Sequence, residues 1–249
     1  NVWLNGVKLV GEGSCIGTAL QGGDAAYNIS AAAQGVADRN ARVTVAPNLG
    51  NVVRRWRLNQ STGSAPNGTT ITDDISGTAL LTVQGNNATF TGKGLAIPGG
   101  APGSGQAYLQ LPSGVTDGYT NITLEIWATP LSARNWGRLL DFNDGTTNNY
   151  LLLTSSRGTN LGNQRFESKF GGTTKTINSD LPTVAGTPHH YVLTFQDNGG
   201  GGGTWLHYRD GELVAWFDVA YNLSTFPDLN NWLGRSAYGS DDLAHCEYS

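Results

Sequence analysis

The chain has 249 residues, of which 14% are charged and 35 are glycine, and its formal net charge is −4. This length can enclose one substantial hydrophobic core, and all-β sandwiches of roughly 200–250 residues often form a single domain. The basic residues are scattered singly and no apolar run approaches the ~20 residues that cross a bilayer, so we expect neither nucleic-acid binding nor membrane insertion.

The N-terminal residues differ in composition from the rest of the chain, and this stretch ends near Pro47. We therefore predict an N-terminal segment over residues 1–50 and a β domain over residues 51–249. The sequence begins at Asn1 and contains no methionine, which indicates a mature chain or fragment without its initiator. Export is the simplest account, so we expect an extracellular or cell-surface protein.

Short apolar or alternating runs, bounded by turn residues, recur from residue 53 onward. They predict ten β-strands with no helical period, at 53–58, 79–83, 107–111, 122–128, 138–142, 150–154, 165–170, 190–195, 204–208 and 212–219. Asp210-Gly211 predicts a two-residue hairpin turn between the last two strands. The glycine run 199–203 predicts a flexible loop, because no helical pattern follows that would make it a phosphate site. The pattern indicates an all-β sandwich.

The cysteines and the Asn-x-Ser/Thr sequons fit an exported protein. Cys15 and Cys246 are an even pair, which in an exported chain favours a disulfide over a metal site. In a chain rich in asparagine and threonine, several sequons also arise by chance. The candidates for N-glycosylation are Asn28, Asn59, Asn67, Asn87, Asn121 and Asn222.

Eight segments of the chain carry a family resemblance. They are 55–59, 71–74, 109–114, 121–127, 138–143, 189–192, 208–211 and 230–236, of which the last is the most specific and reads Asn-Asn-Trp-Leu-Gly-Arg-Ser. Through these segments the chain resembles the concanavalin A-like, laminin-G-like domains of secreted bacterial and eukaryotic surface proteins. The resemblance implies two stacked antiparallel sheets in a jelly roll, in agreement with the predicted strands. It also implies core positions for Trp56, Trp127 and Trp232.

The C-terminal end departs from the pattern of this family. Such domains close with a further strand after the segment that matches 230–236, and we find no match to that strand before Ser249. When residues 247–249 are joined to residues 1–9, C-terminus to N-terminus, the combined segment loosely resembles the closing strand of the family. We therefore predict that the sandwich lacks its last strand and that residues 1–10 supply it. The complementing side chains are Val2, Trp3, Leu4, Val7 and Leu9, with Val2 and Leu4 pointing inward.

A missing strand leaves two open backbone edges and exposes the core beneath. Filling the gap buries apolar side chains, each of which contributes about 1.5–3 kcal/mol. The N-terminal segment either folds back as a circular permutant or inserts into the next copy and builds a head-to-tail polymer. Cys15 and Cys246 then lock the joint within or between subunits. Two alternatives stay open: one repeat cut from a longer chain, or a truncated domain that follows an Ig-like module.

Catalytic motifs are missing from the sequence. Jelly-roll enzymes that cleave glucans carry Glu-x-Asp-x-x-Glu on one strand, whereas Glu125 has no carboxylate partner at that spacing. The chain has no Gly-x-Ser-x-Gly elbow, and His189-His190 matches a family position with a packing role. We therefore expect no enzymatic activity.

Two features are candidates for ligand binding. Asp141 and Asp144, together with Asp241 and Asp242, offer the oxygen ligands that Ca²⁺ prefers, and the resemblance implies calcium on loops at the sandwich edge. The same residues also suit ordinary turns and solvated loops. Trp136, in the loop 132–137, is a candidate aromatic platform for a sugar, or it covers the rim of the sandwich.

The sequence leads to two functional hypotheses. The first is a non-catalytic extracellular structural or adhesive module that binds other copies of itself, head to tail, by strand complementation. The alternative is a carbohydrate-binding, lectin-like domain that recognises extracellular glycans through loop aromatics and calcium.

Overall fold

A computed structural model describes residues 52–249 and, in the N-terminal segment, the strands β1 (Val2–Leu4) and β2 (Val7–Leu9). The chain forms two compact units, Asn1–Val53 and Arg54–Ser249. In the first unit β1 and β2 pair with each other as an antiparallel two-stranded sheet.

The second unit is a sandwich of two antiparallel sheets, each with eight strands. The strands of the first sheet are β4 (Thr70–Thr72), β5 (Leu80–Gln84), β8 (Tyr108–Leu111), β10 (Arg138–Asn143), β11 (Tyr150–Arg157), β12 (Asn160–Phe170), β13 (Thr173–Asp180) and β17 (Asn230–Leu233). Across this sheet the strand order is β13-β12-β11-β10-β17-β8-β5-β4.

The strands of the second sheet are β3 (Gly63–Ala65), β6 (Ala88–Phe90), β7 (Leu95–Gly100), β9 (Ile122–Ser132), β14 (His189–Asp197), β15 (Gly203–Arg209), β16 (Glu212–Val219) and β18 (Leu243–Tyr248). Their order is β16-β15-β14-β9-β18-β7-β6-β3. A short 3₁₀ helix, Leu223–Thr225, precedes β17. The described residues include no helix with the length and apolar character needed to cross a membrane.

The core lies between the two sheets and follows from strand alternation. In β14, Tyr191, Leu193 and Phe195 are each 1% exposed, while the residues between them face the other side. Leu153 and Phe166 bury the corresponding positions of the first sheet. This packing confirms the predicted all-β sandwich.

A bulge in β10 brings charged side chains together on the outer face of the first sheet. The register between β10 and β11 shifts between Arg138 and Leu140. Leu140 and Phe142 are buried in the core, while the Arg138 and Asp141 side chains contact each other on the opposite face. Bulges re-aim side chains in this way, and here the bulge places a guanidinium on the outer face.

The C-terminal residues form a strand where the sequence analysis expected a gap. β18 lies between β7 and β9 in the interior of the second sheet and is hydrogen-bonded on both sides. Ala244, Cys246 and Tyr248 are buried and alternate with His245 and Glu247. In the described sandwich the C-terminal residues 243–248 therefore form an interior strand themselves, because every second side chain of this segment is buried.

The closing-strand role of residues 1–10 stays a prediction. For Val2, Trp3, Leu4, Val7 and Leu9 the structure describes the strand backbone, in which β1 pairs with β2. Head-to-tail polymerisation, which depends on that strand, stays a prediction with it.

Two local predictions have opposite outcomes. Residues 53–58 form no strand, so that prediction is wrong, and instead Trp56 Nε1 donates to the carbonyl oxygen of Ala79 at 3.2 Å. A hydrogen bond from a side chain thus holds this segment instead of the expected hydrogen bonds between strands. The predicted hairpin is confirmed: Asp210 has φ 54° and Gly211 has φ 83°, the pair of positive angles that this two-residue turn requires.

Candidate functional site

The outer face of the first sheet contains a cleft with a volume of about 250 Å³. Strands β10, β11 and β12 form its floor, and the loops before β10 and after β17 form its walls. The lining residues are Trp136, Arg138, Leu152, Arg165, Glu167, Tyr238 and Asp241. The cleft therefore combines two aromatic rings with four charged side chains.

Trp136 lines the cleft in a backbone conformation that is rare for its side chain. Its φ of 57° lies in the left-handed region, which bulky residues seldom adopt. Its backbone N–H donates to the carbonyl oxygen of Gly158 at 3.0 Å, and Arg165 Cζ lies 4.8 Å from the centroid of its ring. Strained residues persist where their surroundings hold them, and they cluster at ligand sites. The structure thus places the predicted platform residue in the cleft.

Arg138 is buried at the floor and contacts two carboxylates. Its Nη2 lies 2.7 Å from Asp241 Oδ2, and its Nε lies 3.5 Å from Asp141 Oδ2. Its Nη1 also donates to the carbonyl oxygen of Trp136 at 3.3 Å. The guanidinium therefore connects the loop that carries Trp136 with the loop that carries Asp241.

Burial changes the acid–base properties of this floor. The pKa of Asp141 rises to about 6, because desolvation of the buried carboxylate outweighs the attraction of Arg138. Desolvation also raises the pKa of Asp241, again against the attraction of Arg138. Asp141 is mainly ionised at neutral pH and acts there as a counter-ion of Arg138.

Glu167 is the second polar centre of the floor. Its carboxylate accepts hydrogen bonds from Tyr150 Oη at 2.6 Å and from Thr176 Oγ1 at 2.5 Å, and Arg165 Nη1 lies 3.3 Å away. Tyr238 Oη donates in turn to Tyr150 Oη at 3.1 Å. Desolvation and the bond to Glu167 raise the pKa of Tyr150 well above its usual range. The Tyr238 ring is thus linked by hydrogen bonds to a fixed carboxylate.

A family comparison covers the whole cleft. The model of the concanavalin A-like lectin/glucanases superfamily, in its laminin G form, matches residues 103–244, more than half of the chain. The chain belongs to this superfamily. The matched region includes every residue that lines the cleft, from Trp136 to Asp241. None of the curated proteins matches the sequence.

Two solved structures share the fold of this superfamily member. Domain 4 of AbnA, a GH43 extracellular arabinanase from Geobacillus stearothermophilus in complex with arabinotriose, has a TM-score of 0.52 and 14% identity over 76% of this chain and 91% of that chain. The binding domain of botulinum neurotoxin DC, in complex with SialylT, has a TM-score of 0.53 and 12% identity over 80% of this chain and 47% of that chain. At these identities the likeness establishes the fold alone.

The four predicted calcium ligands of this concanavalin A-like domain do not form one cluster. Asp141 and Asp241 meet around Arg138, whose guanidinium supplies the positive charge between them. Asp144 and Asp242 accept backbone N–H groups of loop residues, at 2.8 and 3.1 Å. Within residues 52–249, no three acidic, histidine or cysteine residues are arranged to hold a metal ion.

Cys246, one of the two cysteines of the predicted disulfide, forms no disulfide within residues 52–249. It is 1% exposed in the interior strand β18, and burial raises the pKa of its thiol well above the usual range. Its predicted partner Cys15 lies outside the described residues. The bridge between them stays a prediction.

Five of the six predicted glycosylation sites lie in the described part of the chain. Asn222 is partly buried, and its Oδ1 has no hydrogen-bond partner among the described residues. Asn28 lies outside these residues. The side chains at the surface are Asn59, Asn67, Asn87 and Asn121.

The charged floor of this superfamily member's cleft carries no recognisable sequence motif. Arg165 and Glu167 flank Phe166 in a predicted strand, so alternation alone places both charges on one face. This alternation of charged and apolar residues is the only sequence signal for the floor, and many solvent-facing strands share it. Tyr238 lies in a loop without a motif. Only the neighbouring positions of β10, β11 and β12 make these residues one site.

Proposed function

We propose that this chain is a non-catalytic, extracellular carbohydrate-binding domain whose sugar site is the cleft lined by Trp136 and Tyr238. The observation that carries the proposal is the combination of two aromatic rings with a hydrogen-bonding floor in one concave site. A sugar ring has C–H faces that pack on aromatic rings and hydroxyl edges that need donors and acceptors. The cleft offers both kinds of contact.

The size of the cleft suits a single sugar unit. Its volume of about 250 Å³ lies just below the roughly 300–1,000 Å³ of pockets that enclose drug-sized ligands. Because the cleft lies on the outer face of a sheet, further units of an oligosaccharide extend along that face.

The polar floor is ordered before a ligand arrives. Arg138, Tyr150 and Glu167 are all less than 10% exposed and are held by ion pairs and hydrogen bonds. Groups that are already fixed lose little conformational freedom on binding, which lowers the cost of association. The contact between Arg138 and the Trp136 carbonyl extends this order to the aromatic wall.

The fold neighbours support the same proposal. Domain 4 of the arabinanase is in complex with arabinotriose, and the neurotoxin binding domain is in complex with SialylT. One fold hosts many functions, so the proposed function rests on the chemistry of the cleft residues first and on the neighbours second.

Binding without catalysis agrees with the state of the acidic groups. The carboxylates that line the cleft are Glu167 and Asp241, and each is paired with an arginine. Glycoside hydrolysis uses a carboxyl group with a raised pKa that reaches the glycosidic oxygen and a second carboxylate across the bond. Asp141 and Asp241 both have a raised pKa, but each contacts Arg138, and Asp141 is fully buried.

The extracellular location is supported by the sequons. Four of them have exposed asparagine side chains at the surface of the described sandwich. Glycosylation of these asparagines requires passage through the secretory pathway of a eukaryotic cell.

Isothermal titration calorimetry with a glycan panel tests the proposal. Arabinotriose and sialyllactose are the first probes, followed by other neutral and acidic oligosaccharides. We expect Trp136→Ala to weaken binding about 30-fold or more, because aromatic anchors at the centre of a site contribute roughly 2 kcal/mol or more. The control is Trp216→Ala, which removes a tryptophan that is 56% exposed on the second sheet. Equal losses in both variants, or no sugar bound by the wild type, would overturn the proposal.

A further inference from the structure

A second arginine–aromatic cluster lies beside the cleft on the same sheet. Arg235 comes just after β17, and its Cζ lies 4.6 Å from the ring centroid of Tyr108 and 4.5 Å from that of Trp232. The two rings meet edge to face, with an interplanar angle of 76°. Arg235 Nη1 also donates to Tyr108 Oη at 2.7 Å. Two rings and one hydrogen bond therefore hold this guanidinium in place.

Arg235 has no acidic partner in the described part of the chain. The arginines of the cleft are each paired with a carboxylate, Arg138 with Asp241 and Arg165 with Glu167. Within residues 52–249, Arg235 forms no ion pair, and the bond to Tyr108 is the only hydrogen bond of its side chain. Arg235 is partly exposed, and its Nε and Nη2, which take no part in the bond to Tyr108, are available to a ligand.

Two residues near Arg235, Trp232 and Ser236, connect its cluster with the cleft. Trp232 lies opposite Asp141 in the pairing of β17 with β10, and neighbouring strands are about 4.8 Å apart. Ser236, the next residue after Arg235, donates from Oγ to Asp241 Oδ2 at 2.8 Å, and Asp241 lines the cleft. Arg235 thus lies just after the strand next to β10, in the loop that also carries Tyr238 and Asp241 of the cleft wall, on the side toward which the adjacent unit of a bound oligosaccharide would extend.

We propose that Arg235 binds the carboxylate of an acidic sugar unit next to the unit in the cleft. This inference rests on the proposed sugar-binding function. The planar guanidinium presents parallel N–H groups that match a carboxylate. Stacking on Tyr108 and Trp232 fixes its orientation, so little side-chain freedom is lost when the anion binds. Hexuronic and sialic acid units both carry this group.

Pairs of ligands that differ in the charged carboxylate test the proposal. Sialyllactose is compared with lactose, and an oligogalacturonate with its methyl ester, by calorimetry on the full chain. We expect the wild type to bind at least one acid about 10- to 100-fold more tightly than its neutral counterpart, as charge-assisted hydrogen bonds allow. Arg235→Gln is expected to remove this preference and to leave the affinity for the neutral counterpart unchanged.

Two further variants complete the experiment. Arg235→Lys keeps the charge without the planar fork, so we expect it to retain only part of the preference. The control Arg57→Gln removes an arginine that is 57% exposed and pairs with Asp74, and we expect it to change neither affinity. Thermal unfolding of each variant verifies that it is folded.

The outcomes separate this inference from the proposed function. If the wild type binds acidic and neutral partners equally, or if Arg235→Gln weakens both alike, the carboxylate site is refuted while the sugar cleft stands. If neither member of either pair binds, the carboxylate site is refuted, and the sugar cleft fails with it only if the wild type also binds no other sugar of the panel.

Discussion

The guanidinium of Arg138 lies 2.7 Å from the carboxylate of Asp241, with side chains that are only 3% and 8% exposed. Asp141 completes the cluster at 3.5 Å from Arg138 Nε. One cation is thus shared by two carboxylates at the floor of the cleft. Removing one partner of such a cluster leaves buried charge without compensation, which is why its loss is costly.

Arg138→Leu is expected to lower the free energy of unfolding by about 3–5 kcal/mol, because both carboxylates then lack their cation. Urea denaturation at pH 7 measures the change. The matched control is Arg157→Leu, which breaks an ion pair of 3.1 Å with the 71% exposed side chain of Asp180 and is expected to cost about 0–1 kcal/mol. A decrease in the free energy of unfolding as small as that of the control would contradict the claim that Arg138 stabilises the two buried carboxylates.

His207 makes stability depend on pH. It is 1% exposed in β15, and neither ring nitrogen has a hydrogen-bond partner among the described residues. Desolvation, with a smaller contribution from Arg209, lowers its pKa to about 3. The unfolded chain, with a His pKa of about 6.5, therefore binds the proton first. Stability is lost as pH falls below about 6.5, by up to ~1.4 kcal/mol per unit, until about pH 3.

His207→Phe removes this contribution, so its stability relative to the wild type is expected to increase as pH falls from 6.5 to about 4. The raised pKa of Asp141 has the reverse effect, because it favours the folded state as pH falls. This effect is the same in both proteins, so the difference between their free energies of unfolding isolates the contribution of His207. Urea unfolding at several pH values supplies it, with the partly exposed His190→Gln as the control. A difference that does not vary with pH would rule out titration of a buried His207.

Asp73 holds the turn between β4 and β5 through its carboxylate. The side chain is 1% exposed and accepts backbone N–H groups of Ile75 at 3.0 Å, Ser76 at 2.8 Å and Ala79 at 3.1 Å. Burial alone raises the pKa of Asp73, but these bonds and that from the Ser76 hydroxyl outweigh it and hold the pKa well below its usual range. The corresponding stability is present above about pH 4 and is lost as pH falls below that value.

Asp73→Asn is expected to destabilise the fold by about 1–3 kcal/mol at pH 7, since an amide nitrogen then faces backbone donors. Thermal unfolding compares it with Asp74→Asn, which removes a carboxylate that is 32% exposed and pairs with Arg55. We expect about 0–1 kcal/mol for the control. Comparable losses of stability in the two variants would show that the buried hydrogen bonds of Asp73 stabilise the fold no more than the exposed ion pair of Asp74.

Cys246 is expected to resist alkylation in the folded chain. Its thiol is buried and its pKa is raised, and only the thiolate reacts. Iodoacetamide labelling followed by mass spectrometry is done on Cys15→Ser, in which Cys246 is the single cysteine. Labelling is expected only after the addition of denaturant, and rapid labelling of the native variant would contradict burial. In the wild type, a mass lower by two hydrogens before reduction would reveal the predicted disulfide.

Strand positions were predictable where side chains alternate, as in β14, but alternation does not say which face is inward. Trp127 shows the difference. The resemblance implies a core position, yet its side chain is 46% exposed on the outer face of the second sheet and stacks on His190 with ring centroids 4.7 Å apart. A similar ambiguity affected the tail, where the alternation of residues 243–248 forms a strand that the family pattern did not indicate.

The class of fold and the hairpin at Asp210-Gly211 follow from local sequence, because alternation and turn chemistry act between near neighbours in the chain. The cleft does not, since Trp136, Arg165 and Tyr238 meet only after β10, β11 and β12 have paired and the loop after β17 has folded over them. The bulge after Arg138 turns its guanidinium toward Asp141. Long-range strand pairing, which no short segment encodes, therefore brings scattered polar residues together in one cleft.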